Sequence, residues 1–156
     1  MVTSDTKISY MKAALQAARE AYKRDEVPVG AIIVDHHTGE ILAKAGNRTR
    51  SMKDPTGHAE ILAIRQVCKS QGAQRIPETD MYVTLEPCPM CAAAISYARV
   101  ANIFIGALDP KSGGILSGPK IYDSPALHHK PSVEHGLLKE ESAQLLKTFF
   151  QEKRKK

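Results

Sequence analysis

Ile8, Met11, Leu15, Ala18 and Tyr22 recur at intervals of three and four, which predicts a helix with one apolar stripe near the N-terminus. Ser4 or Asp5 stands where its cap belongs. Glu26-Val27-Pro28-Val29-Gly30 breaks that period. Ala31-Ile32-Ile33-Val34 then reads as a strand that returns, through the turn His37-Thr38-Gly39-Glu40, into a hairpin partner over Ile41 to Ala45. Gly46 to Gly57 is polar and predicts a loop. From His58 the helical spacing resumes, with Ile61, Leu62, Ile64, Val67 and Cys68 as its expected buried face. Gln71 to Thr79 reads as a linker and Met81 to Leu85 as a buried strand. Pro87 and Pro89 fit a strand end and the first turn of a further helix. Val100 to Ile105 predicts another strand, Gly106 to Pro119 a Gly-rich loop and Asp123 to Gly136 an irregular segment. Lys139 to Glu152 predicts a closing helix with Ala143, Leu146 and Phe150 along its stripe. The order helix, hairpin, helix, strand, helix, strand indicates an α/β fold with helices covering a mixed sheet. At 156 residues, with no internal repeat and no linker between domains, the chain is expected to form a single domain over residues 1–156.

Composition narrows the setting. Hydrophobic residues make up 42% and charged residues 25%, an ordinary globular balance. Three cysteines form no evident disulfide framework, which points to a reducing, cytoplasmic setting. The N-terminus, with Asp5 and Lys7, has no apolar core of a signal peptide. The most apolar window, Ala92 to Leu108, is interrupted by Arg99 and Asn102, so no membrane span is expected. The formal charge is +5 and the run Lys153-Arg154-Lys155-Lys156 closes the chain. A polyanionic partner and a merely solvated terminus fit that charge equally. Gly113 and Gly118 have P-loop spacing, but Pro119 stands where the lysine should be, so no nucleotide cofactor is expected.

The chemistry is concentrated in two short runs. Thr56-Gly57-His58-Ala59-Glu60 contains H-x-E, and Glu86-Pro87-Cys88-Pro89-Met90-Cys91 contains P-C-x-x-C, with 29 residues between His58 and Cys88. One imidazole and two thiolates suit Zn²⁺, and three protein ligands leave a fourth position for water, whose pKa falls to about 7. Residues two apart do not share a helical face, so His58 and Glu60 can reach one water only at the first turn. Cys88 and Cys91 do share a face, and a helix N-terminus favours their thiolates. Three rival readings stand beside this one. A closed structural zinc site would need a fourth ligand from His36, His37, His128, His129 or His135. Cys68 stands ten residues after His58, and one helix joining them would set the two ~15 Å apart, too far for one ion. A thioredoxin-like redox pair would leave His58-Ala59-Glu60 unexplained. The last is a coincidence of core residues.

Taken together, H-x-E and P-C-x-x-C resemble the signature of the zinc-dependent base deaminases. Further segments match the tRNA-specific adenosine deaminases (TadA type) within the cytidine and deoxycytidylate deaminase superfamily, nearly end to end. They are Glu26 to Ala31, Asn47-Arg48, Asp54 to Ile61, Gly106-Ala107-x-Asp109-x-Lys111-x-Gly113, Leu127-His128-His129, and Phe149-Phe150 with the basic residues after them. The resemblance implies a three-layer α/β/α fold, one Zn²⁺ per subunit on His58, Cys88 and Cys91, and Glu60 as proton shuttle. It implies that Asn47 hydrogen-bonds the flipped adenine, with Val29 on its ring and the Ala59 N–H close by. Asp109 and Lys111 match positions near flanking nucleotides, and His129 and Phe150 match positions along the RNA channel. The implied activity is zinc-hydroxide hydrolytic deamination of wobble adenosine, position 34, to inosine in a tRNA anticodon stem-loop, by a cytoplasmic homodimer. Deaminases of free guanine, cytidine or a small nucleotide, and a zinc-stabilised RNA-binding module, are the alternatives.

Overall fold

In this computed structural model, residues 2–155 are described; Lys156, the last of the basic run, lies outside them. Helix α1 (Ser4–Lys23) starts one residue earlier than the cap expected at Ser4 or Asp5. Thr3 is the cap, its Oγ1 accepting from Thr6 N at 3.2 Å, and Asp5 sits in the first turn, where the helix dipole favours it. Strands β1 (Gly30–Asp35) and β2 (Ile41–Gly46) form the expected antiparallel hairpin. Helix α2 (Ala59–Gln71), β3 (Thr79–Leu85), α3 (Pro89–Ala98) and β4 (Asn102–Ala107) follow in the order predicted.

The sheet runs β2-β1-β3-β4, with a fifth strand, β5 (Ser132–His135), beyond β4. β1 is antiparallel to β2 and β3, while β3, β4 and β5 are parallel, so the sheet is mixed. Period two sorts the side chains to its faces. Ile33, Met81, Val83, Ile103 and Ile105 meet α2 and α3 on one face; Ile32, Val34, Tyr82 and Phe104 meet α1 on the other. Helix α4 (Lys139–Arg154) joins the α1 side, where Phe149 lies edge-on to Tyr22 at 5.6 Å between centroids. The result is the three-layer α/β/α arrangement. α1 lies directly on β1: a Cβ at Gly30 would sit 2.0 Å from the Ala14 carbonyl oxygen, so only glycine fits there.

Three sequence expectations are corrected. The segment from Asp123 to Gly136 is not wholly irregular, because β5 pairs there with β4 and Ser132 Oγ bonds the Asn102 side chain. The buried face of α2 is Ala59, Glu60, Ala63 and Val67. Small alanines let the helix sit close to the sheet, and Ile61, Leu62, Ile64 and Cys68 are left half-buried. On α4 the buried positions are Ser142 and Phe149, whereas Ala143 and Phe150 are exposed and Leu146 is half-buried. Packing of Phe149 on Tyr22 turns the stripe by one residue.

Candidate active site

The loop after β2 ends at His58, which is the N-cap of α2, and the turn after β3 ends at Cys88, the N-cap of α3. Pro89 at the first helical position starts α3 without wasting an amide, and Cys91 lies one turn in. Because α2 and α3 pack side by side, their caps converge. The ligand atoms of His58, Cys88 and Cys91 all lie within 4.8 Å of one another. His58 Nδ1 is 3.3 Å from Cys91 Sγ and 3.6 Å from Cys88 Sγ. Ordinary Zn–N and Zn–S bonds at a tetrahedral angle put N and S about 3.6 Å apart, so the donors are already spaced for zinc. The group has three members among the described residues, so a closed four-ligand site is not what the fold builds. His36, a possible fourth ligand by sequence, is engaged elsewhere, its Nδ1 3.0 Å from Asp80.

The electrostatics make a thiolate of one of the two cysteines. Hydrogen bonding from Cys91 and then from His58 overcomes burial and pulls the Cys88 thiol down to about 4. Cys91 is pushed up because Cys88 takes the charge, and burial adds to this. His58 is raised by its hydrogen bond to Cys88. Cys68 is a free thiol away from this group, and its burial raises it, as an inert side chain requires.

Glu60 is 4% exposed at the first turn of α2. Desolvation pushes its carboxyl up to about 7, against the opposing influence of His58. Above it opens a cavity of about 270 Å³ lined by Val29, Asn47, His58, Glu60, Cys88 and Asp109, together with Val27, Thr49, Leu85, Glu86 and Ser112. Of the residues expected from sequence, Val29, Asn47 and Asp109 therefore meet the metal group at one cavity. Ala59 is fully buried at the start of α2, directly after His58. Lys111, His129 and Phe150 do not line the cavity. The His129 Nε2–H donates to the Val100 carbonyl at 2.7 Å, so its ring braces the end of α3, and Phe150 is 42% exposed on α4.

Two buried carboxylates that the sequence reading passed over hold the loops around this cavity. Glu86 is 2% exposed, and its Oε2 accepts from the amides of Ile115, Leu116 and Ser117 at 3.1, 2.8 and 2.9 Å. Its Oε1 accepts from Asp109 N at 3.0 Å and Ser117 Oγ at 2.8 Å. Glu26 is 1% exposed and accepts from Arg50 N at 3.1 Å and Ser51 N at 2.8 Å, fixing the loop that carries Asn47 to His58. Burial alone would raise Glu26, but these amides, the Ser51 hydroxyl and Arg24 outweigh it and the carboxyl titrates below its usual range. A folded pKa below the unfolded one contributes stability above the unfolded value of about 4.3, lost as pH falls through the folded value. Glu26→Gln is therefore expected to cost about 1–3 kcal/mol at pH 7. In urea titrations from pH 7 to 3, the gap to the parent protein should close below about pH 4.

Comparison with known proteins agrees with this geometry. Residues 4–107 match the family described as the cytidine and deoxycytidylate deaminase zinc-binding region. A tRNA-specific adenosine deaminase from Agrobacterium fabrum (strain C58) is 51% identical over 93% of this chain and 94% of its own length. The corresponding protein from Aquifex aeolicus (strain VF5) is 43% identical over 93% of this chain and 94% of its own length. A solved structure, described in work on A-to-I editing by tRNA:A34 deaminases at the wobble position of transfer RNA, is 50% identical. It superposes with a TM-score of 0.86, covering 88% of this chain and 99% of that one.

Proposed function

We propose that this chain, which belongs to the tRNA-specific adenosine deaminases within the cytidine and deoxycytidylate deaminase zinc-binding family, converts adenosine 34 of a tRNA anticodon to inosine. The observation that carries this reading is a buried carboxylate beside three zinc-spaced donors, at a cavity with room for one extruded base. When held by His58, Cys88 and Cys91, zinc supplies the Lewis acidity that makes water a nucleophile at neutral pH.

The chain's own residues do the rest. Glu60 accepts the proton that water gives up and delivers it to N1 of the adenine. It then takes the remaining proton from the oxygen now bonded to C6 and passes it to the departing amine, so adenosine and water become inosine and ammonia. A carboxyl tuned close to neutrality suits both directions of that transfer. Asn47 is 7% exposed, and its backbone is fixed by the Val29 carbonyl and the Arg24 guanidinium, at 3.1 and 3.2 Å, so its amide can hydrogen-bond the base edge. Val29 packs on the ring, with the Ala59 N–H close by; Asp109 and Lys111 meet the neighbouring nucleotides. His129 and Phe150 act further out on the RNA. A loop substrate fits, because extruding an unpaired base costs least.

A synthetic anticodon stem-loop with adenosine at the wobble position is expected to yield inosine and ammonia. Chelation should abolish the yield and added zinc restore it. Product from free adenosine, guanine or cytidine alone would keep the chemistry and remove tRNA as partner.

The same reading includes a second copy of this single-domain chain. On α2 Ile61 is half-buried, and on α3 Ala94 is half-buried while Met90 and Tyr97 are exposed, Tyr97 to 66%. Exposed apolar side chains on these helices are what an interface with a second copy would cover. Sedimentation should report twice 17.1 kDa, and Tyr97→Arg with Ala94→Arg should return the monomer. Among the described residues, no helix is long and apolar enough to cross a membrane. The cytoplasm, where thiols stay reduced, suits three free cysteines.

A further inference from the structure

A second cavity, about 360 Å³, opens along the free edge of β2, between α1, the loop after β2 and α2. Its floor is small and apolar, with Ala17, Ala45 and Gly46, and its walls are charged. Five cationic side chains line it, Arg24, Lys44, Arg48, Arg65 and Lys69, against the single carboxylate of Glu20. The terminal basic run is not part of it; there Lys153 pairs with Asp25, which also holds Arg50 Nη1 at 2.6 Å.

The cations in the groove are poorly compensated. Arg65 Nη1 lies 3.6 Å from Asp54 Oδ2. Arg24 Nη2 donates to the Asn47 carbonyl at 3.2 Å, yet its Nε is buried and has no partner among the described residues. Burial and the facing Arg48 guanidinium hold Arg24 below the usual arginine range, outweighing the carboxylates of Glu26 and Glu20 that pull the other way. A guanidinium that lines a cavity beside four other cations favours an oxyanion there. Another protein strand is a poor occupant: Gln66 bonds both the amide and the carbonyl of Lys44, at 3.3 Å each, and so covers the edge of β2.

We propose that this groove is a phosphate site, distinct from the deamination cavity, with Arg24, Arg48, Arg65, Lys44 and Lys69 as its donors. Two sources share that chemistry: the backbone of an RNA whose deaminated nucleotide occupies the neighbouring cavity, and a free diphosphate or polyphosphate. The first rests on the function proposed above; the second does not. In either case the anion touches Arg24, whose other contact is the backbone of Asn47, so occupancy steadies a residue that lines the deamination cavity.

The test uses the zinc-loaded full chain. Arginine Nε–H signals are followed by ¹⁵N NMR during titration with pyrophosphate at low salt, then with the anticodon stem-loop as competitor. The Arg24 signal is expected to shift saturably, and Lys44→Gln with Lys69→Gln should weaken pyrophosphate binding roughly tenfold without lowering the melting temperature. If the stem-loop displaces pyrophosphate, and the salt dependence of RNA binding flattens by about two in the double variant, the phosphates are those of the RNA backbone. If pyrophosphate stays bound while RNA binds, the source is a free polyphosphate. An Arg24 signal that moves with neither ligand overturns the site. Inosine yield from the parent protein, measured alongside, reports separately on the deaminase reading.

Discussion

Glu60→Gln is expected to lower kcat by about 10²–10⁴-fold, the contribution of a positioned proton shuttle, while the protein keeps its zinc. The side chain retains its shape and loses only the capacity to take and return a proton. Retention of metal follows from geometry, because the donor group consists of His58, Cys88 and Cys91 and does not include Glu60. The melting temperature should not fall either, since the substitution removes a charge from a buried site where desolvation disfavours it. Metal analysis beside the rate measurement decides the matter. His58→Ala, by contrast, should lose zinc and activity together. If Glu60→Gln also releases the metal, Glu60 supports the site and the proton has another carrier.

Why some of this was readable from sequence, and some not, is a question of range. His58, Glu60, Cys88 and Cys91 announce themselves because a tetrahedral metal and an adjacent base demand fixed residue types at fixed local spacing. The helices and most strands follow from local periodicity. The face of α2 misleads because its bulky apolar residues, Ile61, Leu62 and Ile64, are only half-buried, whereas the buried positions are the small Ala59 and Ala63 with Glu60 and Val67. β5 is four residues long with one half-buried side chain, too little to carry a period. Glu86 and Glu26 stand where a local period stops, yet each answers to amides 23 to 31 residues away, a relation no local pattern encodes. The one local hint for Glu86 is its place between an apolar strand and Pro87, at the chain's entry to Cys88.

Glu86→Gln is the substitution expected to cost most in stability. All five groups aimed at this carboxylate are donors, four amides and one hydroxyl. Whichever way the glutamine turns, its NH₂ faces at least one buried N–H, and each stranded donor costs about 1–3 kcal/mol. A loss of about 3 kcal/mol corresponds to roughly 6–12 °C in Tm for a chain of this size. The effect reaches the chemistry because the anchored segment carries Asp109 and Ser112, which line the deamination cavity. KM for the stem-loop should rise more than kcat falls, since Glu60 and the metal donors lie on other elements. Gly113→Ala tests the same contact from the opposite side: a Cβ there would stand 2.4 Å from Glu86 Cδ and 2.6 Å from the Asp109 carbonyl oxygen. It should therefore also raise KM and lower Tm, and combining it with Glu86→Gln should cost less than the sum, because both changes break one interaction. Independent, additive losses would mean that the carboxylate and the loop are not coupled, and that Asp109 is held in place by the turn at Asp109–Gly113 alone.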